Sequence, residues 1–218
     1  GTYVAQAVPR PRRQPMTPMF EPEVLPFRPG RMGSAMMDET AFAILRRLIA
    51  KDLRRPASRS LHYSDPRGSD ELREEVANYL RTARGVRLHA DQVMITSGSQ
   101  QALDFVLRAL LSPGDTVWME DPGYPAVVAL LRGNGFKIAS IPVDSEGLTV
   151  SVGRTLAPRA KAVYVTPSHQ YPLGVTMTMT RRLALLEWAR STSAWIIEDD
   201  YDSEFRYAGP PLTSLQGM

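Results

Sequence analysis

AVYVTPSHQYPLGVTMTMTRRLALLEWARSTSAWIIEDD, residues 162–200, runs from strand to loop to helix to strand. Ala162 to Thr166 is a short apolar run rich in β-branched residues. Arg181 to Arg190 carries its apolar residues at helical spacing, and Ala194 to Glu198 is a second apolar run that ends in acids. Between the first run and the helix, Thr166-Pro167-Ser168-His169-Gln170-Tyr171-Pro172-Leu173-Gly174 holds two prolines and a glycine. That composition predicts a rigid loop displaying His169 and Gln170. Two buried strands joined through a helix make the repeating unit of a parallel sheet.

The same alternation extends toward the N-terminus. Lys137 to Val143 and Thr116 to Glu120 read as strands, with a helix over Pro125 to Asn134 between them. Gln101 to Leu111 reads as a helix that follows a short strand at Gln92 to Thr96 and a tight Ser97-Gly98-Ser99-Gln100 turn. Upstream, Tyr63-Ser64-Asp65-Pro66-Arg67-Gly68 is turn chemistry. Ser69 or Asp70 then caps a helix with Leu72, Val76, Tyr79 and Leu80 as its apolar face. A further helix covers roughly 38 to 53, on the spacing of Ala41, Ile44, Leu45, Leu48 and Ile49. Such alternation predicts an α/β sheet with helices on both faces.

In open α/β sheets, ligands bind outside the carboxyl ends of the strands. Four polar clusters sit at such ends. Ser97-Gly98-Ser99-Gln100 opens a helix, where glycine admits close approach and unpaired N–H groups face an anion. Glu120-Asp121-Pro122-Gly123-Tyr124-Pro125 sets a tyrosine at the rim, where a ring can stack on a flat heterocycle or simply pack. The Ser168-His169-Gln170 loop has no second histidine or acid spaced for a metal. Glu198-Asp199-Asp200-Tyr201-Asp202 crowds acids, so at least one needs a cationic partner or a raised pKa. A carboxylate there suits a pyridinium nitrogen, a Mg²⁺ ion or a helix cap.

Composition narrows the classes further. The 218 residues contain 43% hydrophobic and 22% charged residues, the balance of a globular domain. With no cysteine, disulfides, thiolate metal sites and cysteine nucleophiles are excluded. No apolar run is long enough for a membrane helix and no signal-peptide pattern opens the chain, so a cytoplasmic location is expected. The net charge of +3 is small. Its arginines crowd at Arg10, Arg12, Arg13, Arg28, Arg31 and Arg54-Arg55, which fits either a solvated linker or nearby nucleic acid. Pro9, Pro11, Pro15, Pro18, Pro22, Pro26 and Pro29 make residues 6–30 a stiff, extended linker.

Taken together, the clusters resemble those of fold-type I pyridoxal-phosphate-dependent (PLP-dependent) aminotransferases. They resemble most closely the aminotransferase-like domain of MocR-subfamily GntR transcription regulators. Tyr-Ser-Asp-Pro-Arg-Gly with Leu72-Arg73, Thr-Ser-Gly-Ser-Gln-Gln-Ala-Leu-Asp, Glu-Asp-Pro-Gly-Tyr-Pro, Thr-Pro-Ser-His-Gln-Tyr-Pro-Leu-Gly and Glu-Asp-Asp-Tyr-Asp-Ser-Glu-Phe-Arg-Tyr carry it, in the family's order. The match runs from about residue 27 to the end. It implies an α/β, aminotransferase class I-like fold, with a mixed, mostly parallel sheet and part of the large domain at 31–218. Gly1-Thr2-Tyr3-Val4 resembles the wing strand that closes a winged-helix domain, so 1–5 would be its end and 6–30 the linker.

The resemblance also implies roles. Gly98, Ser99 and Gln100 would cradle the phosphate of pyridoxal 5'-phosphate. Tyr124 would stack on its ring, Asp199 would pair with the ring nitrogen, and Tyr201 would sit near the phenolic oxygen, with His169 on the neighbouring loop. Tyr63 would reach the phosphate of the other subunit of a homodimer. DNA would be bound only through an N-terminal winged helix, and an amino acid or amine would be the effector. Two departures bear on activity. Tyr171 stands where aminotransferases carry an asparagine, and the Schiff-base lysine is expected beyond Met218, because Lys51, Lys137 and Lys161 lack its context. This chain by itself is therefore expected to be inactive in transamination and poorly soluble. An amino-acid aminotransferase remains the alternative.

Overall fold

The computed structural model describes residues 39–54, 63, 65–201, 203 and 212–218. The expected wing strand and linker lie outside them. The chain divides into two units, Gly1–Leu53 and Arg54–Met218. In the first, α1 (Glu39–Leu53) has Glu39 in its first turn and Lys51 in its last, each matched to the helix dipole.

The second unit begins with α2 (Asp70–Arg84), whose N-cap Ser69 accepts from the Leu72 N–H. It ends at Gly85, which adopts left-handed geometry (φ 66°). Its inward face is not the expected apolar stripe. Leu72 and Tyr79 are exposed, whereas Arg73, Ala77 and Arg84 are buried. The arginines go inward because they find carbonyl and carboxylate acceptors there.

Among the described residues, five strands form one sheet in the order β3-β2-β1-β4-β5. They are β1 (Thr116–Asp121), β2 (Lys137–Asp144), β3 (Gly147–Leu148), β4 (Ala162–Val165) and β5 (Trp195–Glu198). β1 pairs in parallel with β2 (Thr116↔Lys137) and with β4 (Val117↔Ala162), and β4 pairs in parallel with β5 (Val165↔Glu198). Short β3 is antiparallel to β2. Helices α3 (Ser99–Leu110), α4 (Pro125–Gly133), α5 (Val150–Leu156) and α6 (Met179–Thr192) cover the two faces. The expected mixed, mostly parallel sheet is thus present.

Strands covered on both sides must be apolar on both sides, and β1 is: Val117, Trp118 and Met119 are all buried. Val117 and Met119 pack with Leu103 and Leu107 of α3, Val127 and Leu131 of α4, and Tyr164. On the other face Trp118 packs with Val150 of α5 and Leu185 and Trp188 of α6. Trp118 stacks on Trp188 with centroids 3.7 Å apart, and its Nε1–H donates to the Ala157 carbonyl at 2.9 Å. Trp195 on β5 stays half-exposed.

One expected strand needs correction. Gln92 to Thr96 is not a strand: Ala90–Gln92 forms a 3-10 turn, and the Ile95 N–H is taken by the Arg67 carbonyl. A β-branched run becomes a strand only where a ladder partner is available. Helix α5 has no clear periodicity in the sequence and forms where Gly153 lets the Trp118 ring come close.

Candidate functional site

The chain leaves β1 to build β2 on one side, then crosses back to build β4 on the other. In open α/β sheets the ligand crevice lies outside the carboxyl ends at such a switch point, and here residues after β1, β4 and β5 meet there. Tyr124 follows β1 as the N-cap of α4 and is partly exposed. Gly123 is required in this turn, because a Cβ there would collide with the Glu120 carbonyl oxygen. Tyr124 meets Tyr171 edge to face at 5.3 Å, Tyr171 meets Tyr201 at 6.2 Å, and Tyr201 stacks on His169 at 5.6 Å. Three strand ends thus contribute to one row of rings.

Asp199 sits directly after β5, and its backbone N–H still bonds the Val165 carbonyl of β4. Its Oδ2 accepts the phenol proton of Tyr164 at 2.6 Å. Burial, then the Asp199 charge, push the Tyr164 hydroxyl far above its ordinary range, so it remains a donor. The crowded acids resolve as the sequence requires. Asp200 pairs with Arg84 at 2.6 Å, and Glu198 is raised by burial and by Asp200.

Glu120 closes the floor. It is buried, and its Oε2 accepts from the Thr166 hydroxyl (2.7 Å), the Thr166 N–H (3.3 Å) and Gln170 Nε2 (3.3 Å). Burial above all lifts its pKa to about 7, with Asp199 adding to the rise. Gln170 is not displayed as expected: it is buried, and its amide also donates to the Pro122 and Tyr171 carbonyls. It therefore staples the Tyr124 turn to the Tyr171 loop. His169, by contrast, is exposed on its loop, as expected.

The Ser97-Gly98-Ser99-Gln100 turn opens α3 but follows an irregular segment rather than a strand. Gly98 has φ 150°, and a Cβ on it would meet nothing within 4 Å, so the space before the helix is open. By helix geometry the N–H groups of Ser99, Gln100 and Gln101 have no acceptor within α3. That end suits an anion. Tyr63 is fully exposed, just before the turn that Asp65 and Arg67 lock at 2.7 Å, and stands clear of the ring row. Among the described residues no group of three or more His, Cys, Asp or Glu is arranged to hold a metal ion.

Sequence reading missed Tyr164, Glu120 and Arg84. The signal for Tyr164 was a hydroxyl inside an otherwise apolar strand, two residues before a polar loop. An open groove of about 630 Å³ lies at the other end of the sheet, lined by Thr116, Lys137, Ser140 and Arg159, away from these groups.

Residues 36–214 match the model of the aminotransferase class I and II family. The chain is 42% identical over 151 residues to a probable rhizopine catabolism regulatory protein MocR of Rhizobium meliloti, covering 69% of this chain and 30% of that protein. It is 36% identical over 198 residues to the HTH-type pyridoxine biosynthesis transcriptional regulator PdxR of Corynebacterium glutamicum, covering 90% of this chain and 41% of that protein. Among solved structures, a kynurenine aminotransferase of Pyrococcus horikoshii, in complex with PMP, superposes with TM-score 0.73 at 34% identity, over 81% of this chain and 45% of that one. The chain spans about a third of the length of the first curated relatives it matches.

Proposed function

The chain belongs to the aminotransferase class I and II family, and we propose that it is the PLP-binding, effector-sensing part of a MocR/GntR-type transcription regulator. The observation that carries the cofactor reading is the convergence of Tyr124, Tyr201 and the Tyr164-anchored Asp199 at one switch point. These groups fit pyridoxal 5'-phosphate. Asp199 would hold the ring nitrogen, the Tyr124 ring would lie against the pyridine face, and Tyr201 would stand by the phenolic oxygen. The N–H groups of Ser99 and Gln100, with the Ser99 hydroxyl, would receive the phosphate, and Gly98 would leave room for it. The partner subunit's Tyr63 would complete the phosphate contacts in a homodimer. When bound, the cofactor supplies an aldehyde for amines and an electron sink.

The regulator reading rests on the MocR and PdxR relatives. Residues 6–30 would then be the linker to a winged-helix domain, through which DNA is read. Lys137 and Lys161 stand at the amino ends of β2 and β4, opposite to Asp199. At about 3.3 Å per residue, Lys137 stands roughly 23 Å from the carboxyl end of β2 and Lys161 roughly 13 Å from that of β4, so neither stands at the crevice. The covalent lysine of the family would come from outside this sequence.

The test uses the full-length protein and Asp199→Ala. Loss of PLP-dependent DNA binding on substitution supports the reading, and unchanged DNA binding sinks it. A second reading, an amino-acid aminotransferase, is favoured by the likeness to the kynurenine aminotransferase. Transfer of an amino group from any amino acid to a 2-oxo acid would establish it.

A further inference from the structure

Arg84 closes α2, is 4% exposed, and its side chain bonds partners far away in sequence. Its Nη2 donates to Ser168 Oγ at 2.8 Å and to Asp200 Oδ1 at 2.6 Å, and its Nη1 donates to the Leu212 carbonyl at 2.6 Å. Its Nε is 2.6 Å from Asp200 Oδ2, an ion pair without hydrogen-bond alignment. One guanidinium therefore ties the loop after β4, the segment after β5 and residue 212 together.

Ser168 and Asp200 each adjoin a residue of the candidate site. Ser168 precedes His169, and Asp200 follows Asp199. The third contact is reinforced from both sides. The Arg84 carbonyl accepts from the Ser214 N–H at 3.0 Å, and Arg87 and Gln216 exchange two bonds at 2.7 and 2.8 Å. Arg182, also buried, repeats the pattern by donating to the Met177, Pro167 and Thr213 carbonyls at 3.1, 2.9 and 3.1 Å. Glu198 Oε2 accepts from the Leu215 N–H at 2.9 Å. Residues 212–215 are thereby pinned to the end of α2, to α6 and to the end of β5.

We infer that Arg84 is a positioning residue for the cofactor site, fixing Asp199 and His169 relative to each other through Asp200 and Ser168. Its side chain bonds Ser168, Asp200 and Leu212, and it acts through these partners. A guanidinium suits this because its planar fork serves several fixed acceptors at once, whereas an ammonium is a single point charge. Removing it leaves Asp200 beside Glu198 without the cation it pairs with and lets the two loops move independently. The inference rests on the cofactor reading above.

The experiment measures PLP affinity, the pH midpoint of the bound cofactor's absorption band, and the melting temperature without cofactor, all in the full-length protein. Arg84→Met is expected to weaken PLP about ten- to a hundredfold, the range seen when outer-shell partners of bound metals are removed, and to shift the pH midpoint. Arg84→Lys should recover part of both. Ser168→Ala and Asp200→Asn, each removing one arm of the fork, are milder variants expected to weaken PLP severalfold should Arg84→Met not fold. Wild-type affinity and pH midpoint in these variants, with only the melting temperature lowered, would overturn the inference and leave the cofactor reading standing. Absence of PLP binding by the unsubstituted protein would overturn both.

Discussion

The Tyr164 phenol, 1% exposed in the core beneath α3 and α4, donates to Asp199 Oδ2 across 2.6 Å. A strand interior thus orients a carboxylate at the strand's mouth. Tyr164 cannot ionise at ordinary pH, so the bond persists wherever Asp199 is charged.

Tyr164→Phe keeps the ring and removes that one donor. A hydrogen bond to a charged group contributes about 1.5–3 kcal/mol, but partly exposed Asp199 can recruit water instead. A loss of about 1 kcal/mol in urea unfolding is expected, together with weaker PLP binding. An unchanged PLP affinity would count against Asp199 as the ring-nitrogen partner.

Glu120 gives a signed pH dependence. Folding lifts its pKa from 4.5 to about 7, chiefly through burial. The folded state therefore holds the proton more tightly. The resulting stabilisation is complete below 4.5 and is lost as pH rises through about 7. A shift of this size corresponds to about 3 kcal/mol. Glu120→Gln keeps a neutral amide in place, so the stability of wild type relative to this variant should fall across that window. A difference that stays flat with pH would refute the assignment.

One substitution at two glycines should have opposite signs. A Cβ on Gly153 would meet the Trp118 ring at 2.6 Å, so Gly153→Ala overpacks the core at a cost of about 1–3 kcal/mol. Gly133 closes α4 with nothing within 4 Å, so Gly133→Ala should stabilise by about 0.5–1 kcal/mol. Thermal melts of both variants check the pair.

At the start of α2, Ser69 Oγ accepts from the Leu72 N–H at 3.1 Å. Ser69→Ala should cost about 1 kcal/mol, and Ser69→Asp should restore it. An alanine variant as stable as wild type would mean that water satisfies the first turn equally well.

The sheet was legible because β1, β2, β4 and β5 are short apolar runs and α3, α4 and α6 have regular spacing. The resemblance of their loops to a known family singled out Tyr124, Asp199 and Tyr201, whose roles toward a cofactor belong to the proposal above. What stayed hidden depends on contacts distant in sequence. Arg84, next to Gly85, looks like any cation at a helix end, and only Ser168, Asp200 and Leu212 give it another meaning. Polar loop residues are usually displayed, and Gln170 departs from that habit. It turns inward because its amide finds the Glu120 carboxylate and the Pro122 and Tyr171 carbonyls there. Periodicity alone puts Leu72 and Tyr79 inside, but the neighbouring arginines had the acceptors.

The stacked indoles of Trp118 and Trp188 give the protein its own optical gauge. Rings 3.7 Å apart couple electronically, so the pair should produce a near-ultraviolet circular dichroism signal that disappears once α6 leaves the sheet. Trp195, the third and last tryptophan, is half-exposed on β5 and should emit at longer wavelength. The dichroism follows the packing of the core and the long-wavelength side of the emission follows Trp195, so one sample reports on both without any added label.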